Sequence, residues 1–395
     1  MAADEPPRDS GLITLFLCGD VMTGRGIDQV LPHPGDPVLH EPFMGSALGY
    51  VDLAERANGP ISKPVDYSYI WGDALRELSR AAPDVRIINL ETSVTASADY
   101  WRGKGINYRM HPHNLPCITA AGIDCCCLAN NHVLDWGYAG LAETLETLHR
   151  SGLRSTGAGP TRDEAQDPAI VEVPGKGRVL IFGCGVESSG IPRSWAAAPE
   201  RPGVNLLSGL SDESVRGFKA VVEKVKRRGD VAVASIHWGE NWGYAVPPAQ
   251  TAFAHRLIDE AGIDVVHGHS SHHLKGIEVY EGKLVIYGCG DFLNDYEGIK
   301  GNEQFRDDLA VMYFVRMDPS GGRLVDLRMT PMQIKRFRLQ RASRPDVLWL
   351  KDVLDREGRQ FGTRVEVGAD NTLHLVAGGA AAGMGACERE PADAE

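Results

Sequence analysis

The chain has 395 residues, of which 43% are hydrophobic and 24% charged, with a formal net charge of -12 at pH 7. That length can bury a substantial core and the composition is that of a soluble globular protein, which excludes a disordered chain. The acidic balance, with no Lys/Arg cluster interleaved with aromatics, argues against a nucleic-acid partner.

Residues 1–10 are polar and acidic, lacking the basic and apolar regions of a signal peptide, and are expected to be disordered. No stretch approaches the roughly 18 apolar residues of a membrane helix, so no membrane anchor and a cytoplasmic location are expected. Leu12 to Cys18 is a continuous apolar run suited to a buried strand, with Asp20 at its carboxyl end. Residues 31–71 form a Pro- and Gly-punctuated insertion with a short helix near Tyr50 to Ala57; a loop of that length usually covers a site or an edge. Trp71 to Ala82 reads as a helix, and Val85 to Leu90 as a second apolar run ending in Glu91. The Gly-rich segment Trp101 to His113 reads as an ordered loop carrying Arg109.

Cys125 to Ala129 is a third apolar run, broken by Asn130-Asn131-His132, and Trp136-Gly137 then opens a helical pattern at Leu141, Leu145 and Leu148. Gly152 to Gly159 reads as a turn-rich return, followed by strands at Ala169 to Val173 and Arg178 to Gly183. Ser211, with Asp212 and Glu213 behind it, has the chemistry of a helix start. Val231 to Ile236 is a β-branched run ending in His237-Trp238-Gly239-Glu240, and Pro248 to Ala261 is helical. Asp264-Val265-Val266 leads into His267-Gly268-His269-Ser270-Ser271-His272-His273. A hairpin is predicted at Gly276 to Tyr287 around Glu281-Gly282, then strands at Leu309 to Met317 and Arg323 to Met329. A helix over Pro345 to Gly358 and strands near Thr363 to Val367 and Leu373 to Val376 close the ordered chain. The Ala/Gly-rich end, residues 378–395, is expected to be disordered. Of the eight cysteines, Cys125 to Cys127 are consecutive in an apolar run, where alternate side chains face opposite ways; reduced, buried thiols are expected.

Five strand-like runs thus end in Asp20, Glu91, Asn131-His132, His237, and His269 with His272. Each piece alone has a plain structural reading: a turn cap, a surface ion pair, a helix-entrance cap, a core histidine. In layered α/β proteins, however, functional groups gather beyond the carboxyl ends of strands. The pooled carboxylates, amide oxygen and imidazoles suit manganese, iron(II) or zinc better than an all-oxygen calcium site.

Gly19-Asp20-Val21-Met22, Asn89-Leu90-Glu91, Ala129-Asn130-Asn131-His132, His237-Trp238-Gly239, Gly268-His269-Ser270-Ser271-His272 and Tyr287-Gly288-Cys289-Gly290-Asp291-Phe292 resemble, in order, the motifs of the CapA family of bacterial poly-γ-glutamate capsule synthesis proteins. That family is similar to calcineurin-like metallophosphoesterases. The resemblance implies a dinuclear centre: Glu91 bridging, Asp20 and His272 on one ion, and Asn131, His237 and His269 on the other. It implies that His132 protonates a leaving oxygen, with Asp135 orienting it. Met22 stands where a phosphoesterase has His, and Glu91 where it has Asp.

The expected fold is α/β, a layered α/β/β/α metallophosphatase-like sandwich of two mixed sheets flanked by helices. It would span residues 11–330, with an appendage at 331–377 packed on it. The expected function is metal-dependent hydrolysis of a phosphoester or similar bond in an anionic small molecule or polymer. Arg25, Arg109, Trp136, Trp238, Glu240 and Asp291 are expected to line the substrate pocket. The alternatives are a part in making γ-linked glutamyl or related amide polymers, and a non-catalytic metal-binding assembly protein.

Overall fold

The computed structural model describes residues 11–378, so the expected terminal disorder at 1–10 and nearly all of 378–395 lies outside the described residues. Two mixed sheets face each other. In the first, the strands run Thr363–Val367, Leu373–Ala377, Arg323–Lys335, Leu309–Asp318, Ile13–Val21, Val85–Leu90, Cys125–Cys127 and Arg154–Thr156 across the sheet; Asp291–Leu293 also pairs with Ile13–Val21, and Arg338–Arg341 with Arg323–Lys335. In the second the order is Ile277–Tyr280, Lys283–Ile286, Val265–His269, Val231–His237, Gly177–Gly185 and Ala169–Val173.

The period of two along each strand builds three apolar layers. Leu15, Leu17, Ile87, Cys125 and Cys127 of the first sheet meet Val179, Ile181, Val231, Val233 and Val265 of the second. The opposite face of the first sheet, with Phe16, Cys18, Ile88 and Cys126, packs on Val51 and Ala54 of Leu48–Asn58, on Leu78 of Asp73–Ala81, and on Leu141 and Leu148 of Gly137–Arg150. The outer face of the second, with Leu180, Phe182, Ala232 and Val266, covers Val215 and Phe218 of Asp212–Val225 and Phe253 and Leu257 of Pro248–Asp259. This is the expected α/β/β/α sandwich. Burying one such Leu or Phe side chain contributes about 1.5–3 kcal/mol.

Local chemistry accounts for the element boundaries. Ser211 accepts from Ser214 N and Ser343 from Asp346 N, each capping the helix that follows. The predicted hairpin turns at Glu281 (φ 49°) and Gly282 (φ 75°), both left-handed as a two-residue hairpin turn requires. Gly152 to Gly159, expected as a bare return, instead contributes Arg154–Thr156, pairing parallel with Cys125–Cys127. Three residues at a sheet edge are too few for a periodic signal. The strand Arg323–Lys335 runs past residue 330, and the three strands after it extend the first sheet.

The 31–71 segment folds back over the site-bearing loops. Arg109 NH2 donates to Asp36 O (2.8 Å), and the His40 ring stacks on Tyr100 at 3.6 Å. Arg25, on the first strand's exit, donates NH1 to Glu41 (3.0 Å) and to Tyr50 OH (3.0 Å) while its Nε reaches Asp295 (3.1 Å).

Candidate metal centre

Parallel pairing of Ile13–Val21, Val85–Leu90 and Cys125–Cys127 aligns their carboxyl ends, so Asp20, Glu91 and Asn131-His132 emerge along one edge. In the second sheet His237 and His269 are register partners on parallel strands, and their rings face each other with Nδ1 atoms 2.8 Å apart. His272 follows in the next loop, its Nδ1 2.8 Å from Asp291 Oδ1.

Two groups of buried donors result. Asp20, His237 and His269 offer donor atoms all within 4.8 Å of one another, as do Asp20, His272 and Asp291. Asp20 therefore belongs to both. Glu91 lies on the other flank, its Oε1 3.9 Å from His237 Nε2, and Asn131 Oδ1 is 3.0 Å from the same nitrogen. Asn89 Nδ2 donates to Asp20 Oδ1 (2.7 Å) and to Glu91 Oε2 (3.3 Å), and Ser270 N donates to Asp20 Oδ2 (3.2 Å). These bonds fix the carboxylates in place. Ser270 has φ 102°, a strained backbone for a residue with a Cβ, kept where its N–H meets Asp20.

The donors fit divalent cations. Burial and the neighbouring Asp291 raise the Asp20 carboxyl, and burial with Asp20 beside it raises that of Glu91. Burial and neighbouring imidazoles pull His237 and His269 well below the usual histidine range, leaving their rings neutral with free lone pairs. Burial works to lower His272, but Asp291 beside it, together with Asp20 and Asp307, outweighs that and moves it up. Crowded buried carboxylates and bare imidazoles are costly alone, and a cation satisfies both.

Beside this cluster His132 Nδ1 is 2.6 Å from Asp135 Oδ2, which also accepts from Tyr108 N (2.6 Å). His132 Nε2 points toward Glu91 Oε1, 3.8 Å away. Burial lowers His132 to about 4 despite Asp135, and the ammonium of Lys104, 2.9 Å from Nδ1, acts in the same direction as burial. Lys104 also pairs with Asp135 Oδ1 and faces the Trp195 ring at 5.4 Å. Sequence reading passed over Lys104, since one lysine in a Gly-rich loop carries no pattern.

The expected pocket residues separate. Asp291 stands inside the donor cluster. Arg25 is buried in its Glu41–Asp295–Tyr50 cage, over the Tyr108 ring (4.3 Å) that abuts His132 (4.5 Å). Arg109 stacks on Trp136 at 3.8 Å, its NH1 held by Ser97 O (2.7 Å), and Trp136 Nε1 donates to Tyr108 O (3.1 Å). Trp238 packs in the outer core of the second sheet, its Nε1 donating to Tyr287 O (3.0 Å), away from the donors. Glu240 is exposed. Half-buried Trp242, 5.2 Å from the His272 ring, and Tyr296, 5.5 Å from it, flank the cluster instead.

The sequence that builds this fold and this edge matches a known bacterial family. Residues 14–296 match the family model described as "Bacterial capsule synthesis protein PGA_cap", and the chain belongs to that family. It is 50% identical over 366 residues, 92% of this chain and 96% of the relative, to a probable polyglutamine synthesis accessory protein of Mycobacterium tuberculosis. It is 25% identical over 324 residues to the PGA biosynthesis protein CapA of Bacillus subtilis, covering 82% of this chain and 72% of that protein. The capsule biosynthesis protein CapA of Bacillus anthracis is 24% identical over 309 residues, 78% of this chain and 65% of that protein. No helix among the described residues is long and apolar enough to cross a membrane.

Proposed function

We propose that this chain is a metal-dependent hydrolase acting within glutamyl-polymer synthesis, cleaving a phosphoester or a similar ester or amide bond of an anionic substrate. The observation that carries this reading is the meeting of two buried donor groups at Asp20 with a His132–Asp135 pair whose free Nε2 faces the same space. Asp20, Asp291, His237, His269 and His272 would hold the cations, with Glu91 and Asn131 on the His237 flank. Bound divalent cations supply Lewis acidity, acidifying water and neutralising charge that develops on a substrate oxygen.

The chain's own groups divide the remaining work. Asp135 accepts the Nδ1 proton of His132 and fixes the ring, so that Nε2 is the atom that takes up or delivers a proton at the scissile bond. In the free protein burial and Lys104 keep the ring neutral, and an anionic substrate beside Nε2 opposes both effects. The Arg25 cage fixes Tyr108 against the ring, limiting the water that reaches it.

The test is release of nitrophenol from bis(p-nitrophenyl) phosphate, and of glutamate from a γ-linked glutamyl oligomer, with Mn2+ present. Turnover of either substrate that needs Mn2+ and disappears in His237→Ala supports the proposal. The name of the mycobacterial relative, an accessory protein, favours a second reading in which the centre binds metal for assembly. Bound Mn2+ with no turnover of either substrate moves the chain to that reading.

A further inference from the structure

A hydrogen-bonded chain runs from the first sheet into the donor cluster through groups that hold no cation in the proposed centre. His267 Nε2 is 2.7 Å from Cys18 O, His267 Nδ1 is 3.1 Å from Ser235 Oγ, and Ser235 Oγ is 2.9 Å from His269 Nε2. All three side chains are fully buried or nearly so, with relative exposures of 0% for Ser235 and His267 and 1% for His269. Ser235 and His237 alternate along one strand, as do His267 and His269 along its neighbour, so each pair projects from the same face.

Proton positions follow from the one unambiguous acceptor. A carbonyl oxygen only accepts, so the proton lies on His267 Nε2. His267 has no carboxylate partner among the described residues and no access to water, so its ring carries that proton alone and Nδ1 is bare. Ser235 must then give its single hydroxyl proton to His267 Nδ1. Its oxygen is left to accept from His269, which therefore carries its proton on Nε2. His269 Nδ1 is bare, and that is the atom 3.8 Å from Asp20 Oδ1 and 2.8 Å from His237 Nδ1.

We infer that Ser235 and His267 are positioning residues that hold His269 in its Nε2–H tautomer, so that the Nδ1 lone pair is always presented to the cation. This rests on the metal centre proposed above. An imidazole without such a partner samples both tautomers and turns an N–H toward the site part of the time.

The experiment uses the full chain with Mn2+ alone as probe. Ser235→Ala is expected to bind Mn2+ about 10–100-fold more weakly at one of its sites, the usual effect of losing a partner behind a ligand. Ser235→Thr, which keeps the hydroxyl, is expected to restore affinity, and His267→Phe to weaken it like Ser235→Ala. Nitrogen-15 NMR of the metal-free wild type is expected to show His269 protonated on Nε2. Wild-type affinity in Ser235→Ala, or an Nδ1–H tautomer in the wild type, overturns the inference. The NMR reading needs neither metal nor a folded variant. A wild type that binds no Mn2+ but shows the Nε2–H tautomer therefore sinks the metal centre and leaves the relay standing.

Discussion

Asp20 and Asp291 are register partners on adjacent parallel strands, and both carboxylates lie in the donor cluster. Asp20 is common to both donor groups whereas Asp291 belongs to one, so their losses should differ. Asp291→Asn is expected to lower bound Mn2+ from about two ions per chain to about one, and Asp20→Asn to weaken both. Metal counting after equilibrium dialysis decides it. Equal losses in the two variants would contradict the sharing of Asp20.

In the proposed reaction His132 and its partners would act without holding a cation. His132→Ala is expected to keep its Mn2+ and lose about 10²–10⁴-fold in kcat, the usual contribution of a general acid or base. Lys104→Met should lower kcat less, because Asp135 retains Tyr108 N and His132. A His132→Ala protein with unchanged kcat places the chemistry elsewhere.

Removing metal should cost stability. With free Mn2+ at about 100 times its Kd, binding adds about 2.7 kcal/mol to the folded state. Dialysis against a chelator should therefore lower the unfolding temperature, and Mn2+ should restore it. An unfolding temperature indifferent to chelator and to added manganese, iron or zinc argues against the centre.

Gly19 sits beneath this edge. A Cβ there would lie 1.6 Å from Gly290 O, the carbonyl that accepts from Asp20 N, and neither backbone can yield. Gly19→Ala is expected to cost at least the upper part of the 1–3 kcal/mol range for overpacking and to weaken Mn2+ binding with it. Urea unfolding and dialysis report the two effects. A variant with native stability and native affinity contradicts the close approach.

The seven described cysteines are buried, and burial raises Cys18, Cys117, Cys126, Cys184 and Cys289, so thiolate is scarce. Under native conditions a thiol reagent such as DTNB should leave these seven unmodified and react with them after denaturation. More than one fast-reacting thiol per native chain overturns this.

The site's outline was legible because apolar runs are conspicuous and the polar residue that stops each one is easy to mark: Asp20, Glu91, Asn131, His237, His269. What escaped depends on contacts between distant segments. Asp291, expected beside the substrate rather than among the donors, opens a strand of only three residues, and its pairing with Asp20 exists only once the sheet has formed. Lys104 reaches His132 from an irregular loop, and Glu41 and Tyr50 meet Arg25 through the fold of the 31–71 segment. Trp238 follows His237 directly, yet alternation along the strand sends its ring to the opposite, helix-covered face.

The bond from His267 Nε2 to Cys18 O crosses from one sheet to the other, and the donors themselves come from both. The proposed centre would thus be a clasp at one end of a largely apolar seam. Its affinity should respond to how squarely the two halves are seated. A substitution deep in the seam, such as Leu17→Ala, touches no donor, yet by letting the sheets slip it would detune the clasp. Cation affinity then becomes a gauge of how well the two halves of the molecule are aligned.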